Sequence, residues 1–197
     1  ILSDQFRDSV LANKIDKPSN AHFRVVFAGG VTVDNGVDRL IEAAKISSIP
    51  KLHVTIYGNG ELVQVVKDAA SRTQRIAYGG ILHGDDLTQS LLSADVLINP
   101  RPTDNEYAQN SFPSKLIEYL ATGVPTLTTS LASIPEEIND CFYYAKGDDA
   151  ESLSLALLKV YETSQEERLQ IGTRAQERVA KLYGEEAFGK QVFSTIN

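Results

Sequence analysis

Apolar and polar positions along this chain follow two alternating rhythms. Phe23 to Gly29, through Val25, Val26 and Phe27, is a short and nearly unbroken apolar run. Such a run predicts a strand buried on both faces. Val37, Leu40, Ile41 and Ala44 then fall at i, i+3, i+4 and i+7, the spacing of an amphipathic helix. The cycle repeats. Lys51 to Tyr57 predicts a second strand closed by Gly58-Asn59-Gly60, and Leu62, Val65, Val66 and Ala69 a second helix. Arg75 to Tyr78 predicts a short strand closed by Gly79-Gly80, followed by a helix carrying Leu87, Leu91 and Leu92 and a strand at Val96-Leu97-Ile98. A helix from Pro113 to Gly123 leads to a strand over Thr126 to Thr129, a short helix near Pro135 to Ile138 and a strand at Phe142 to Tyr144. Helices are expected over 150–163, 165–182 and 185–195.

Short apolar strands, each followed by a helix, predict an α/β fold: a Rossmann-like, doubly wound parallel sheet covered on both faces and joined by right-handed crossovers. Ligands on such sheets bind at the carboxyl ends of the strands. That rule gathers Gly29-Gly30, Gly58 to Gly60, Gly79 to Ile81, Asn99 to Arg101 and the helix start after Pro113 on one rim. Any one of these glycines is explained by the turn it makes; together they mark a binding rim. Residues 1–20 differ, with Arg7, Asp8, Lys14, Asp16 and Lys17 leading to the breaker cluster Pro18-Ser19-Asn20. They are expected to be a linker at the edge of a larger protein, with the domain proper over 21–197.

The densest chemistry lies between Asn110 and Pro125. Pro113 fits the first turn of a helix, Ser111 or Phe112 its cap, and Gly123 and Pro125 its stop. Ser114 and Glu118 share one helical face beside Lys115. A helix N-terminus offers free N–H groups and partial positive charge to a phosphate. Lys115 would add a cation there, Arg101 a second from the end of a strand, and Glu118 would accept from sugar hydroxyls. Against this stand an i,i+3 pair of Lys115 with Glu118, a surface ion pair for Arg101, and simple capping for Asn110. Asp85-Asp86 and Asp148-Asp149 are explained as caps and dipole partners, and Arg168, Arg174 and Arg178 with Glu166, Glu167 and Glu177 as a solvated helix face.

Composition narrows the picture. Net charge is −7, which speaks against general nucleic-acid binding, so an anionic ligand needs a local positive site. The single cysteine, Cys141, allows no internal disulfide and reads as a core residue of a protein in a reducing compartment. No apolar run is long enough to span a bilayer. His22, His53 and His83 have no metal-cage spacing, and Asp104-Asn105-Glu106 only mimics a short acidic metal motif. No P-loop and no nucleophile elbow is present. The first residue is not Met and is not read as a translation start.

Taken in order, these segments resemble the C-terminal domain of a GT-B glycosyltransferase of the large retaining family 4. Val26 to Gly30 with Asn35 to Ala43 resembles the first strand, loop and helix. Ile56 to Glu61 resembles the second strand and its Gly-x-Gly turn, and Ala77 to Ile81 the segment that holds the base. Ala94 to Pro100 resembles the strand before the donor loop, and Ile117 to Pro125 is the strongest match. The resemblance implies a nucleotide-sugar-binding domain with Gly29, Gly30, Asn35, Gly58, Gly80, Ile81, Phe112, Ser114, Lys115 and Glu118 around the donor. Asn110, Lys115 and Arg101 would lie at the reacting centre. It implies a UDP-, GDP- or ADP-sugar as substrate, no metal or other cofactor, and retention of configuration. The acceptor, a glycan or a lipid-linked sugar, would be held by an N-terminal domain. This fragment would be inactive alone. The setting implied is polysaccharide biosynthesis for the cell envelope, in the cytoplasm or at the cytoplasmic membrane face.

The chain departs from the family at three places. Of two glutamates separated by seven residues, Glu118 matches the second and Asn110 stands at the first. The family's Arg after the first strand's glycine and Lys before the next helix are Gly30 and Asn35 here. One expectation is therefore that the diphosphate cations have moved to Lys115 and Arg101. The rival expectation is a catalytically idle partner domain. A nucleotide-sugar epimerase fits the Glu118 helix less well.

Overall fold

The structure, a computed structural model, describes residues 22–103 and 114–184. Six strands form one parallel sheet: β1 (Phe23–Ala28), β2 (Leu52–Tyr57), β3 (Ile76–Gly80), β4 (Val96–Asn99), β5 (Thr126–Thr129) and β6 (Tyr143–Ala145). Their spatial order is β3-β2-β1-β4-β5-β6. Winding thus runs outward from β1 in one direction, then crosses back to β4 and runs the other way. The β1/β4 junction is the topological switch point, where α/β sheets open a crevice.

Helices cover both faces, as the periodicity predicts. On one side lie α1 (Val37–Ile46), α2 (Val63–Arg72) and α5 (Ala150–Glu162), packed on Val25, Phe27, Val54 and Ile98. On the other lie α3 (Gly84–Leu92), α4 (Lys115–Ala121) and α6 (Gln165–Tyr183), packed on Val26 and Leu97. Successive residues of β1 therefore serve opposite cores, which is why the run shows no polar alternation. A turn of 3₁₀ helix, Glu136–Cys141, stands where the short helix was expected, and Cys141 is buried in the second core. Helix α6 begins in a full capping box of Ser164 with Glu167.

Several local expectations need correction. Lys51 is not in β2; it carries φ 53° in the turn before it. Helix α4 begins at Lys115, with Ser114 in the flanking position and making no side-chain cap; Pro113, expected in its first turn, lies outside the described residues. The candidate caps Ser111 and Phe112 lie outside the described residues, as do Asn110, the Asp104-Asn105-Glu106 motif, the linker of residues 1–20 and the helix expected over 185–195. Asp149 does cap α5, accepting from the Ser152 N–H, but Asp85 and Asp86 lie inside the first turn of α3 and act there as dipole partners only. The arginine face of α6 is not merely solvated. Arg174 donates to the Asp140 carbonyl, Arg178 pairs with the Asp140 carboxylate, and Arg168 stacks over Phe23. Among the described residues no helix is long and apolar enough to cross a membrane.

Candidate functional site

The carboxyl ends of β1, β2 and β3 interlock through their backbone. Gly29 N–H donates to Tyr57 C=O, Val31 N–H to Asn59 C=O, Leu62 N–H to Val31 C=O and Gly58 N–H to Gly80 C=O. The Tyr78 hydroxyl adds a bond to the Gly58 carbonyl. Glycine is needed for the closest of these approaches. A Cβ on Gly58, which holds φ +127°, would lie 1.8 Å from the Gly29 oxygen. Gly80 is different: it has φ +78° with open space around it, and Ile81 beyond it is 54% exposed. A large apolar side chain held open on the rim suits a flat aromatic ligand group.

Lys115, the first residue of α4, turns inward to this rim. Its Nζ lies 4.4 Å from the centroid of the Phe27 ring and donates to Asn35 Oδ1 at 3.4 Å. It also reaches the face of Gly29, where a Cβ would meet Nζ at 3.2 Å. In place of the alternative, an i,i+3 pair with Glu118, Lys115 makes its contacts across the crevice. Asn35 closes the circuit: its amide donates to the Gly30 carbonyl and the Thr32 hydroxyl. Burial, reinforced by the charge of Arg101, lowers the Lys115 pKa to about 7. Arg101 itself is only 6% exposed, so it is no surface ion-pair residue. The charge of Arg101 thus acts on an ammonium that burial already disfavours.

Glu118 sits one turn along α4 and is exposed rather than buried, although packing around its carboxyl raises its pKa. Ser114 is also exposed, so the two share an open helical face while Lys115 points beneath it. The structure thus brings Gly29, Gly30, Asn35 and Lys115 together, with Arg101 near enough to act on the lysine's charge, Gly58 on the loop after β2 and Gly80 at the end of β3. Asn110 and Phe112 lie outside the described residues. His83 stands exposed before α3, and His53 binds the Gln74 carbonyl at the opposite side of the chain's chemistry. Among the described residues no group of metal-ligating side chains converges.

Two features were not legible in the sequence. The Asp148 carboxylate accepts from the Thr103 N–H at 2.6 Å and the Thr103 hydroxyl at 2.8 Å, and it pairs with Arg39. It is a strap for the segment after Arg101, not a cap. Burial pushes its carboxyl up, but these bonds outweigh that and hold it below the usual carboxylate range. Asp148→Ala should release the strap at a loss of about 1–3 kcal/mol, with faster amide exchange at Thr103 as the check. The second feature is Tyr119, fully buried on α4, whose hydroxyl bonds Ala28.

The model of the family Glycosyl transferases group 1 matches residues 22–163. The chain belongs to this family. WcaL of Salmonella typhimurium, assigned to colanic acid biosynthesis as a glycosyltransferase, is 26% identical over 123 residues, which are 61% of this chain and 30% of WcaL. Sucrose-phosphate synthase of Thermosynechococcus elongatus superposes with a TM-score of 0.73 at 17% identity, covering 98% of this chain and 48% of that one. Anabaena HepE in complex with UDP gives 0.73 at 14% identity, covering 100% and 53%. The C-terminal domain of the group 1 protein LpcC from Francisella tularensis gives 0.67 at 14% identity and is itself 95% covered, against 93% of this chain. This group 1 chain therefore has the fold of the C-terminal half of a GT-B glycosyltransferase, and it spans between 30% and 53% of the longer relatives.

Proposed function

We propose that this group 1 domain holds the nucleotide-sugar donor of a retaining glycosyltransferase, and that Lys115 and Arg101 have taken over the diphosphate from cations absent at positions 30 and 35. One observation carries the reading: Lys115 Nζ contacts the very residues that stand at those positions' loop, bonding Asn35 and lying against Gly29. An ammonium placed there meets a diphosphate where a side chain from the loop would otherwise have reached it. The N–H groups of Ser114 and Lys115 add donors at the start of α4. As the sugar leaves, charge develops on the diphosphate, and preorganised cations in a desolvated corner stabilise it most. Glu118, open on the same helix, accepts from the ribose hydroxyls. Gly80 leaves room beside β3 for the base, with Ile81 against it.

The acceptor, a glycan or lipid-linked sugar, would bind to an N-terminal domain reached through the linker of residues 1–20, and that half would govern any peripheral membrane contact. The donor domain alone would bind without transferring. An idle partner domain would have no use for a desolvated ammonium held over Phe27 and against Gly29, and it is the weaker reading for that reason.

Thermal unfolding with UDP, GDP and ADP tests this. At a hundredfold excess over Kd, one of them should stabilise the domain by about 2.7 kcal/mol. That is a shift of roughly 5–10 °C at this size. Glu118→Ala should reduce the shift without lowering the unliganded melting temperature, since the side chain is exposed. No shift with any of the three at millimolar concentration would sink the donor reading.

A further inference from the structure

The edges of β1 reveal how the crevice is built. Even-numbered residues of β1 turn their backbone groups toward β4: the Arg24 carbonyl accepts from Asp95 N–H, and Val26 pairs with Leu97. The β1/β4 ladder ends there, at Val26 and Leu97. Each strand nevertheless continues against its outer neighbour, Ala28 beside Tyr57 and Asn99 beside Thr128. Ala28 would thus present an N–H and a C=O to a strand that has moved away. A half-buried backbone pair left in that state is unfavourable. Into that gap comes the Tyr119 hydroxyl. It accepts from the Ala28 N–H at 2.8 Å and donates to the Ala28 carbonyl at 3.0 Å. One oxygen on α4, ninety-one residues away, supplies both bonds that β4 would have made.

We propose that Tyr119 is a positioning residue for the donor: its hydroxyl replaces strand β4 at the end of β1, wedges the switch-point crevice open, and fixes the Gly29-Gly30 loop relative to Lys115. The proposal rests on the donor-site reading above. Its logic is mechanical. Tyr119 and Lys115 lie one turn apart on α4, and Gly29 directly follows Ala28, the last residue of β1. The phenol therefore ties the cation's helix to the loop that faces it, on both sides of the place where a diphosphate would lie. A phenylalanine fills the same volume but makes neither bond, so the loop and the helix are free to shift against each other by the fraction of an ångström that a diphosphate contact senses.

The test compares nucleoside diphosphates with monophosphates: UDP against UMP, GDP against GMP, ADP against AMP, titrated into the unsubstituted chain, Tyr119→Phe and Lys115→Met. For the nucleotide that binds, Tyr119→Phe should lower the ratio of diphosphate to monophosphate affinity by about tenfold, the equivalent of one lost charged contact. A lower melting temperature with that ratio unchanged would make Tyr119 a core residue only and overturn the proposal. If Lys115→Met abolishes the diphosphate preference and Tyr119→Phe does not, the donor reading stands and this inference fails. If the unsubstituted chain binds none of the six, both fail together. Hydrogen exchange on the unsubstituted chain gives an independent check should Tyr119→Phe not fold. The Ala28 amide should exchange as slowly as that of Val26, and exchange at the rate of the rim-loop amides would overturn the proposal.

Discussion

Lys115→Met should stabilise the unliganded domain while destroying its affinity for nucleotide. The ammonium lies over Phe27 with one hydrogen bond to Asn35, and Arg101 repels it. The folded domain releases this proton at about 7, against 10.5 for an unhindered lysine. Between those values the unfolded chain binds more protons than the folded one. Stability therefore rises with pH across that window, and the penalty for the buried charge is fully present below pH 7 and gone above 10.5. Methionine keeps the apolar stem and removes the charge, so the gain near neutral pH should be roughly 2–4 kcal/mol. The melting temperature should climb by roughly 5–10 °C. Nucleoside diphosphate affinity should fall about thirtyfold or more, as it does when one member of a desolvated charge pair is removed. Denaturant melts at pH 6.5 and 9.5 would show the variant's advantage shrinking at the higher value. A variant no more stable than its parent at pH 6.5 would mean that the ammonium is already solvated.

The same residue makes donor binding a proton-linked event. A diphosphate beside Lys115 favours the charged form, so binding draws a proton onto the lysine from solvent. Above pH 7 affinity should then decline by up to about tenfold per pH unit until the pKa of the bound state is reached. The terminal phosphate is ionised in that range, its second pKa being near about 6, so the ligand adds no slope of its own. Calorimetry in two buffers of different ionisation enthalpy would read the uptake as a difference in apparent heat. The Lys115→Met variant should show none.

The contrast between what the chain displays openly and what it conceals is instructive here. Val25-Val26-Phe27 and Val96-Leu97-Ile98 announce central strands because both of their faces are buried, and no polar residue interrupts them. Helices α1 and α2 announce themselves through a single apolar stripe. Lys115, Arg101 and Glu118 could be nominated from their places at strand and helix ends. Their environments could not. Whether Arg101 is buried and Glu118 exposed depends on which elements close over them, and periodicity carries no such information. Tyr119 is harder still. Between Leu116 and Leu120 it reads as one more core residue, and its partner Ala28 is an unremarked strand end. A buried phenol needs a hydrogen-bond partner. That rule says that one exists, but only the sheet order says that it is β1. Asp148 misleads in the same way. Beside Asp149 and before a helix it looks like a cap, yet the cap is its neighbour, and Asp148 reaches back to Thr103 instead.

The glycines of the rim provide the sharpest test of that distinction, since each could simply be turning the chain. Gly58→Ala should cost about 3–5 kcal/mol. Two terms combine: a backbone at φ +127°, which side chains resist, and a Cβ placed 1.8 Å from the Gly29 carbonyl oxygen. The oxygen cannot yield easily, because Gly29 N–H is bonded to Tyr57 and Val31 to Asn59, so a retreat would strip the β1 loop from the β2 loop. Gly80→Ala isolates the first term. It too has positive φ, +78°, but nothing lies within 4 Å of the added carbon. Its cost should be about 1 kcal/mol. Urea unfolding of the two variants, with equal m values, would give midpoints separated by the steric term. Equal midpoints would mean that Gly58 only turns the chain. A wide separation would mean that glycine is there so that two rim loops can touch, which is what gives Lys115 a firm floor at Gly29.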